Sequence, residues 1–190
     1  MDYTKEIEEY FDKERKVIEA ISKEDLSMVM NVLEDARKAK KQIFIMGNGG
    51  SGATASHFVC DFNKGIADGK ENFIPYRFIC LNDNIPSMLA ISNDISYDEV
   101  FLHQLKNFFN PGDIVIGISG SGNSKNVVKA IEYANKNDGI TIGFEGYKGG
   151  KLKELAKYNV HVNVDDMQIT EDIHMMFDHC MMKILWKSAK

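Results

Sequence analysis

The chain has 190 residues, enough to bury one good hydrophobic core, and no Pro/Gly/Ser-rich linker or shift in composition divides it. A formal net charge of −5 sets a bulk field that repels nucleic acid and anionic membrane surfaces, so neither is expected as a partner. Three cysteines, Cys60, Cys80 and Cys180, form no C-x-x-C pair and leave an odd count, which fits reduced thiols in a cytoplasmic protein.

The chain opens with MDYTKEIEEYFDKE, charged from its second residue and therefore unlike a signal peptide, and no apolar run reaches membrane-spanning length. From about Tyr3 to Ala39 the periodicity is helical, in two segments that break near Ser22–Asp25, where Ser-x-x-Asp ahead of an apolar run predicts a capping box. Ile7, Tyr10, Phe11, Val17 and Ile18 line one side of the first segment. That stripe has to be buried against the protein's own sheet or against a second copy.

Lys41–Met46 reads as the first strand. It runs into Gly47-Asn48-Gly49-Gly50-Ser51 and a helical stretch through Lys64. Further strands read at Tyr76–Leu81, Ile114–Ser119, Ile140–Glu145 and Asn159–Val164, with helical patterns at Ser87–Ile91, Tyr97–Phe108, Ser124–Asn135, Leu152–Lys157 and Ile169–Trp186. Strands alternating with helices predict an α/β fold: a mostly parallel sheet covered on both faces, in a three-layer αβα sandwich.

The most telling stretch is IVIGISGSGNSK, Ile114 to Lys125. A strand feeding a glycine-rich turn into a helix start points unsatisfied backbone N–H groups and the positive end of a helix dipole at one small volume, which suits a phosphate dianion. Ser119, Ser121 and Ser124 add hydroxyls, where a plain cap needs one; Ser124 stands at the N-cap position. Neither the dinucleotide fingerprint nor the Walker loop fits, so the guest expected is a phosphate monoester. The Gly47–Ser51 loop is a second of this kind, and two such loops at the carboxyl ends of parallel strands converge on one ligand.

Two helices carry residues of the metal-ligand type. His57 and Asp61 stand four apart on one helical face. Taken alone they read as a surface pair worth a few tenths of a kcal/mol, but they follow the phosphate-type loop by less than two turns. The last helix holds Glu171, Asp172, His174, Asp178 and His179. At roughly 100° per residue, His174 and His179 diverge by about 140°, so one arc cannot use both, and spacing alone does not choose between them. A His and a carboxylate from each helix make a site suited to zinc or another borderline divalent metal. Cys60 is expected to be a buried structural thiol and His103 a structural residue.

With these residues in view, the sequence resembles the sugar isomerase (SIS) domain family and, within it, the phosphoheptose (sedoheptulose 7-phosphate) isomerases. The matching residues are GNGGS at Gly47–Ser51, His57-Phe58 with the acid Asp61, Asn93-Asp94 followed by Tyr97-Asp98, SGSGNSKN at Ser119–Asn126, and Glu-Asp-Ile-His through His179. The resemblance implies a single SIS domain over residues 1–190. Its αβα core is flavodoxin-like (40–190), and its N-terminal helices (1–39) lie at the interfaces of a homotetramer that binds sugar phosphate between subunits. It implies Ser51, Ser119, Ser121 and Ser124 on the phosphate, and Asn48, Asp94, Asn93 and Gln168 in the rest of the substrate site. It further implies His57, Asp61, Glu171 and His179 around the metal, with Asp61 and His179 as the acid/base pair, which selects His179 over His174.

The implied reaction is aldose–ketose isomerisation of sedoheptulose 7-phosphate to D-glycero-D-manno-heptose 7-phosphate through an enediolate, with zinc as the expected cofactor. Family members usually carry Glu where Asp61 stands, Gln where Glu171 stands, and Asp or Thr where Gln168 stands. Asp61 is one methylene shorter, which withdraws its carboxylate by roughly 1.5 Å; Glu171 adds a negative charge. A branch of the family that binds without catalysis, serving as partner of a replication initiator, is the alternative, and an isomerase of another ketose phosphate is a third reading.

Overall fold

Amphipathic segments punctuated by glycine give alternating helices and strands in the computed structural model, which describes residues 1–67 and 69–188. Two helices come first, α1 (Thr4–Ala20) and α2 (Lys23–Lys38), and Ser22 between them accepts the Asp25 N–H, the cap that the Ser-x-x-Asp spacing predicts. Then follow β1 (Ile43–Gly47), α3 (Gly49–Cys60) running into a π turn (Asp61–Gly65), β2 (Phe78–Cys80) and α4 (Ile85–Asp94). A 3-10 turn (Tyr97–Glu99) leads into α5 (Val100–Leu105), and β3 (Ile114–Ser119), α6 (Lys125–Lys136), β4 (Ile140–Glu145), α7 (Gly150–Leu155), β5 (Tyr158–His161) and α8 (Met167–Ser188) complete the described chain.

The strands form one sheet in the order β2-β1-β3-β4-β5, with every neighbouring pair parallel. Both faces are covered, which is why the central strands read as continuous apolar runs. Ile43, Ile45, Ile114, Ile116 and Ile118 pack with Leu33 of α2, Phe58 of α3 and Ile173, Phe177 and Met181 of α8. Phe44, Met46 and Val115 pack on the other face with Leu105 of α5, Val127 and Ile131 of α6 and Leu152 of α7. The expected three-layer αβα sandwich is the observed one.

The chain leaves β1 through α3 to reach β2 on one side, then returns to β3 on the other side of β1. The loops after β1 and β3 therefore part at a topological switch point, where an open α/β sheet has room for a ligand. Their proximity is fixed by register, Gly47 lying opposite Ile118.

The apolar stripe of α1 is divided. Tyr10, Val17 and Ile18 pack on the core, Tyr10 Oη donates to Asp172 at 2.5 Å, and Lys13 pairs with Asp166 at 2.6 Å; Ile7 and Phe11 stay more than half exposed. Cys60 departs from the expectation of a buried thiol: it is exposed, because the core face of α3 is set by Ala55 and Phe58 and Cys60 falls about 200° around from Phe58. Among the described residues no helix is long and apolar enough to cross a membrane.

Candidate active site

The N-termini of α3 and α6, both twelve residues long, lead into the same cleft, and neither is capped by its own N-cap side chain. Ser124 has the extended backbone of an N-cap, yet its hydroxyl bonds to Ser119 Oγ at 3.1 Å instead of to the first turn of α6. Asn48, the N-cap residue of α3, exchanges hydrogen bonds of 2.9 Å with Asn126 and accepts one of 2.7 Å from Tyr97 Oη. Backbone donors at two positive helix ends are thus left for a ligand, with serine hydroxyls beside them. The cleft of about 270 Å³ is lined by Asn48, Ser51, Ser119, Ser121, Ser124 and Glu171, with glycine backbone and Met167 between them. A larger cavity of about 430 Å³ shares only Ser121 with it and contains no histidine.

Two glycines hold this geometry. Gly122 has φ of +66°, and a Cβ there would stand 1.8 Å from the Gly149 carbonyl oxygen. At Gly50, in the first turn of α3, a Cβ would meet the Glu171 carboxylate at 2.3 Å, so the end of the Glu171 side chain occupies the space that glycine leaves open. Asn82, after β2, ties in the same loop: Gly47 N–H donates to its Oδ1 at 3.2 Å and its Nδ2 donates to the Gly47 carbonyl at 2.7 Å.

From Gly50 onward α3 and α8 run side by side in the same direction. Gly50 faces Glu171, His57 faces Asp178 and His179, and Gly65 faces Met182. His57 Nε2 lies 3.1 Å from His179 Nε2, 3.8 Å from Asp61 Oδ2 and 3.9 Å from Asp178 Oδ2. One donor atom from each of His57, Asp61, Asp178 and His179 falls within 4.8 Å of all the others. Asp61 opens the π turn, whose Ile66 N–H reaches back to the Asp61 carbonyl at 3.0 Å. Such local widenings of a helix are frequent at functional sites.

The donor set can be tested against a divalent cation on chemistry alone. Two imidazoles and two carboxylates are zinc-type ligands. Asp178 is fully buried and neither of its oxygens has a hydrogen-bond partner; burial, with Asp61 adding repulsion, pushes its carboxyl up to about 8. An unpaired buried carboxylate is costly unless it is neutralised or coordinated, so the set fits a cation.

Of the residues named from sequence, the structure brings Asn48, Ser51, Ser119, Ser121, Ser124 and Glu171 to one cleft, and His57, Asp61 and His179 to one cluster. His174 is elsewhere: fully buried, its ring against Phe144 and Phe177, it has a pKa lowered to about 4 by burial. Asn93, Asp94 and Gln168 are exposed and do not line the cleft; Asn93 donates to Asp94 at 2.7 Å, a few residues from Tyr97. Glu171 lies against Gly50 and outside the histidine cluster, whose second carboxylate is Asp178. From sequence, Asp178 counts among the acids of the last helix without being selected for the metal set, and Asn82 is not named. The available signal for Asp178 was an acid set among MMF and CMM, where a helix face otherwise reads as core.

The SIS domain family matches the chain over residues 9–146. A probable phosphoheptose isomerase of Thermoplasma acidophilum is 37% identical over 151 residues, which cover 80% of this chain and 81% of that one. The phosphoheptose isomerase of Thermodesulfovibrio yellowstonii is 34% identical over 188 residues, 97% of this chain and 92% of its own. Among solved structures, a phosphoheptose isomerase from Neisseria gonorrhoeae superimposes with a TM-score of 0.87 at 25% identity, covering 97% of this chain and 98% of that one.

Proposed function

The chain belongs to the SIS domain family, in its phosphoheptose isomerase branch, and on that premise we propose that it interconverts sedoheptulose 7-phosphate and D-glycero-D-manno-heptose 7-phosphate. The supporting observation is the spacing along α3. Ser51 at the serine nest and His57 in the histidine cluster are six residues apart, or about 9 Å of helix. A seven-carbon chain with a terminal phosphate, at about 1.5 Å per bond, spans roughly 8–10 Å. One substrate therefore reaches both groups.

Ser51, Ser119, Ser121, Ser124 and the two helix N-termini hold the phosphate, so that binding energy far from the reacting carbons fixes their position. Asn48, oriented by Asn126 and Tyr97, meets sugar hydroxyls. Asn93, Asp94 and Gln168, which stand outside the cleft of a single protomer, complete the substrate site together with a neighbouring copy. The cleft is small beside ordinary ligand pockets of about 300–1,000 Å³, and the exposed Ile7 and Phe11 of α1 offer an apolar face to another copy. Both features support a homotetramer with its sites between subunits.

His57, Asp61 and His179 hold a divalent cation, zinc on the character of its donors, together with a second carboxylate. Such a cation, when bound, polarises the sugar carbonyl. One of Asp61 and His179 takes the proton from the carbon next to the carbonyl, and the other moves a proton to or from oxygen, which gives a cis-enediolate. Asp61, though one methylene shorter, already stands 3.8 Å from His57 Nε2.

Incubating the zinc-supplemented protein with sedoheptulose 7-phosphate and following the anomeric proton signals should show the aldoheptose phosphate. Stoichiometric sugar-phosphate binding with no interconversion would overturn the isomerase reading in favour of a binding module.

A further inference from the structure

Glu171 and Asp178 are both acids of α8, separated by seven residues or about 10.5 Å of helix, and they do different things. We infer that Asp178, and not Glu171, is the second carboxylate ligand of the divalent cation, and that Glu171 faces the sugar from the wall of the phosphate cleft. The inference rests on the isomerase reading for the presence of the cation, and on this chain's own geometry for the choice of ligand.

Three observations carry it. Asp178 has a fully buried side chain with both carboxylate oxygens unpaired, 3.9 Å from His57 Nε2. Its donor atom belongs to the group of four that lie within 4.8 Å of one another, with the His57 and His179 nitrogens already 3.1 Å apart. Ligands of a tetrahedral zinc at about 2.0–2.1 Å stand about 3.3 Å from each other, so contraction of the widest pair by at most about 1.5 Å closes the set. Glu171, in contrast, lines the cleft with Ser51, Ser119 and Ser124, its carboxylate pressed on Gly50.

The neighbours Asp178 and His179 leave α8 about 100° apart. A ligand pair of this kind suits a cation seated in the valley between α8 and α3, approached by Asp178 from the buried side and by His179 from the exposed one. Asp61 is short on the opposite helix, and a second aspartate from α8 restores a two-carboxylate, two-imidazole shell; Glu171, about two turns back along α8, is not in the group.

The test is zinc affinity by chelator competition on metal-stripped protein, together with the visible spectrum of the cobalt-loaded protein, for wild type, Asp178→Asn and Glu171→Ala, the second of which leaves no ligand atom at its position. Losing a ligand should weaken binding by at least the hundredfold that even outer-shell changes reach. Asp178→Asn should therefore lose about a hundredfold or more in affinity and alter the cobalt ligand-field bands, while Glu171→Ala stays within about threefold of wild type with an unchanged spectrum. Circular dichroism melts of the stripped proteins check that the isosteric Asn folds. A tenfold loss in Glu171→Ala overturns the inference whether or not Asp178→Asn folds. So does wild-type affinity in Asp178→Asn, or a wild type that binds neither metal. Conversion of sedoheptulose 7-phosphate by wild type is scored separately, so failure of the ligand assignment is distinguishable from failure of the isomerase reading.

Discussion

At the serine nest, Ser119 and Ser124 share a hydrogen bond and Asn48 is held by Asn126 and Tyr97. Further along α3 and α8, Asp178 is buried with both oxygens unpaired, and two imidazole nitrogens face each other at 3.1 Å. The nest is made of neutral dipoles, which satisfy one another and still present backbone donors to an anion. The cluster sets two carboxylates, one of them buried without a hydrogen bond, beside two imidazoles bonded to each other, and a cation shared among the four offsets the cost of burying that charge. On the proposed function, the contrast assigns two jobs along one substrate: uniform grip on a phosphate at one end, charge management at the reacting carbons at the other.

If that division is right, the ends must fail differently. Removing the acid/base pair at the cluster should have the largest effect: His179→Ala or Asp61→Asn should lower kcat by about a thousandfold or more, in the range general acid–base catalysis supplies. Sugar-phosphate affinity, measured by calorimetry, should change by only a few-fold. A variant that keeps its kcat and loses affinity instead would place the chemistry away from the cluster and break the comparison.

A buried carboxylate with no partner is not a metal signal in itself, as Glu145 makes plain. It too is fully buried with both oxygens unpaired, across Gly143 from the orphaned Asn159 Oδ1 and with the buried His174 imidazole against its backbone, but no group of three or more metal-type donors gathers there among the described residues. Burial pushes the Glu145 carboxyl up to about 8 from its ordinary 4.5, so it is protonated near neutrality. Because the folded pKa is the raised one, the stability due to this proton is fully present below about pH 4.5. It is lost as pH rises toward about 8. Glu145→Gln, neutral at every pH, should therefore match wild type near pH 4.5 and exceed it at pH 7 by on the order of 3 kcal/mol, at 1.36 kcal/mol per pH unit. For a chain of this size that is a melting-temperature gain of about 6–12 °C. Equal melting curves at pH 5 and pH 8 in wild type would mean that Glu145 is ionised and paired.

How much of this was legible beforehand divides along the same line. The sheet, its parallel order and the serine nest were readable because they rest on local signals: β-branched runs, glycine at the turns and hydroxyls at a helix start. Ile114–Ser119 and Ile140–Glu145 have the predicted bounds, whereas the edge strand β2 is shorter than Tyr76–Leu81 because only Phe78–Cys80 pair with β1. The cluster depends on how two helices distant in sequence face each other, and periodicity cannot give that phase. Spacing on α8 left His174 and His179 open; packing decides, burying His174 between Phe144 and Phe177 and turning His179 to His57. The same facing puts Glu171 on Gly50 and Asp178 in the cluster, a one-helix phase that no motif encodes.

The smallest expected effect lies at the nest. Ser124 bonds through its hydroxyl to Ser119 and not to the first turn of α6, whose Val127 N–H donates to Asn126 Oδ1, so Ser124→Ala removes no helix cap and should leave the melting temperature nearly unchanged. What it removes is one donor to a charged phosphate, worth about 1.5 kcal/mol at the low end for such bonds, or roughly tenfold in KM. The phosphate does not change during the reaction, so the loss is uniform between ground and transition states and kcat should hold. Ser119→Ala should behave alike. Because the two hydroxyls are bonded to each other, the double variant should lose less than the product of the single losses. A fall in kcat with KM unchanged would show that the nest positions the reacting carbons more tightly than a simple grip, and would move the boundary between the two jobs toward the serines.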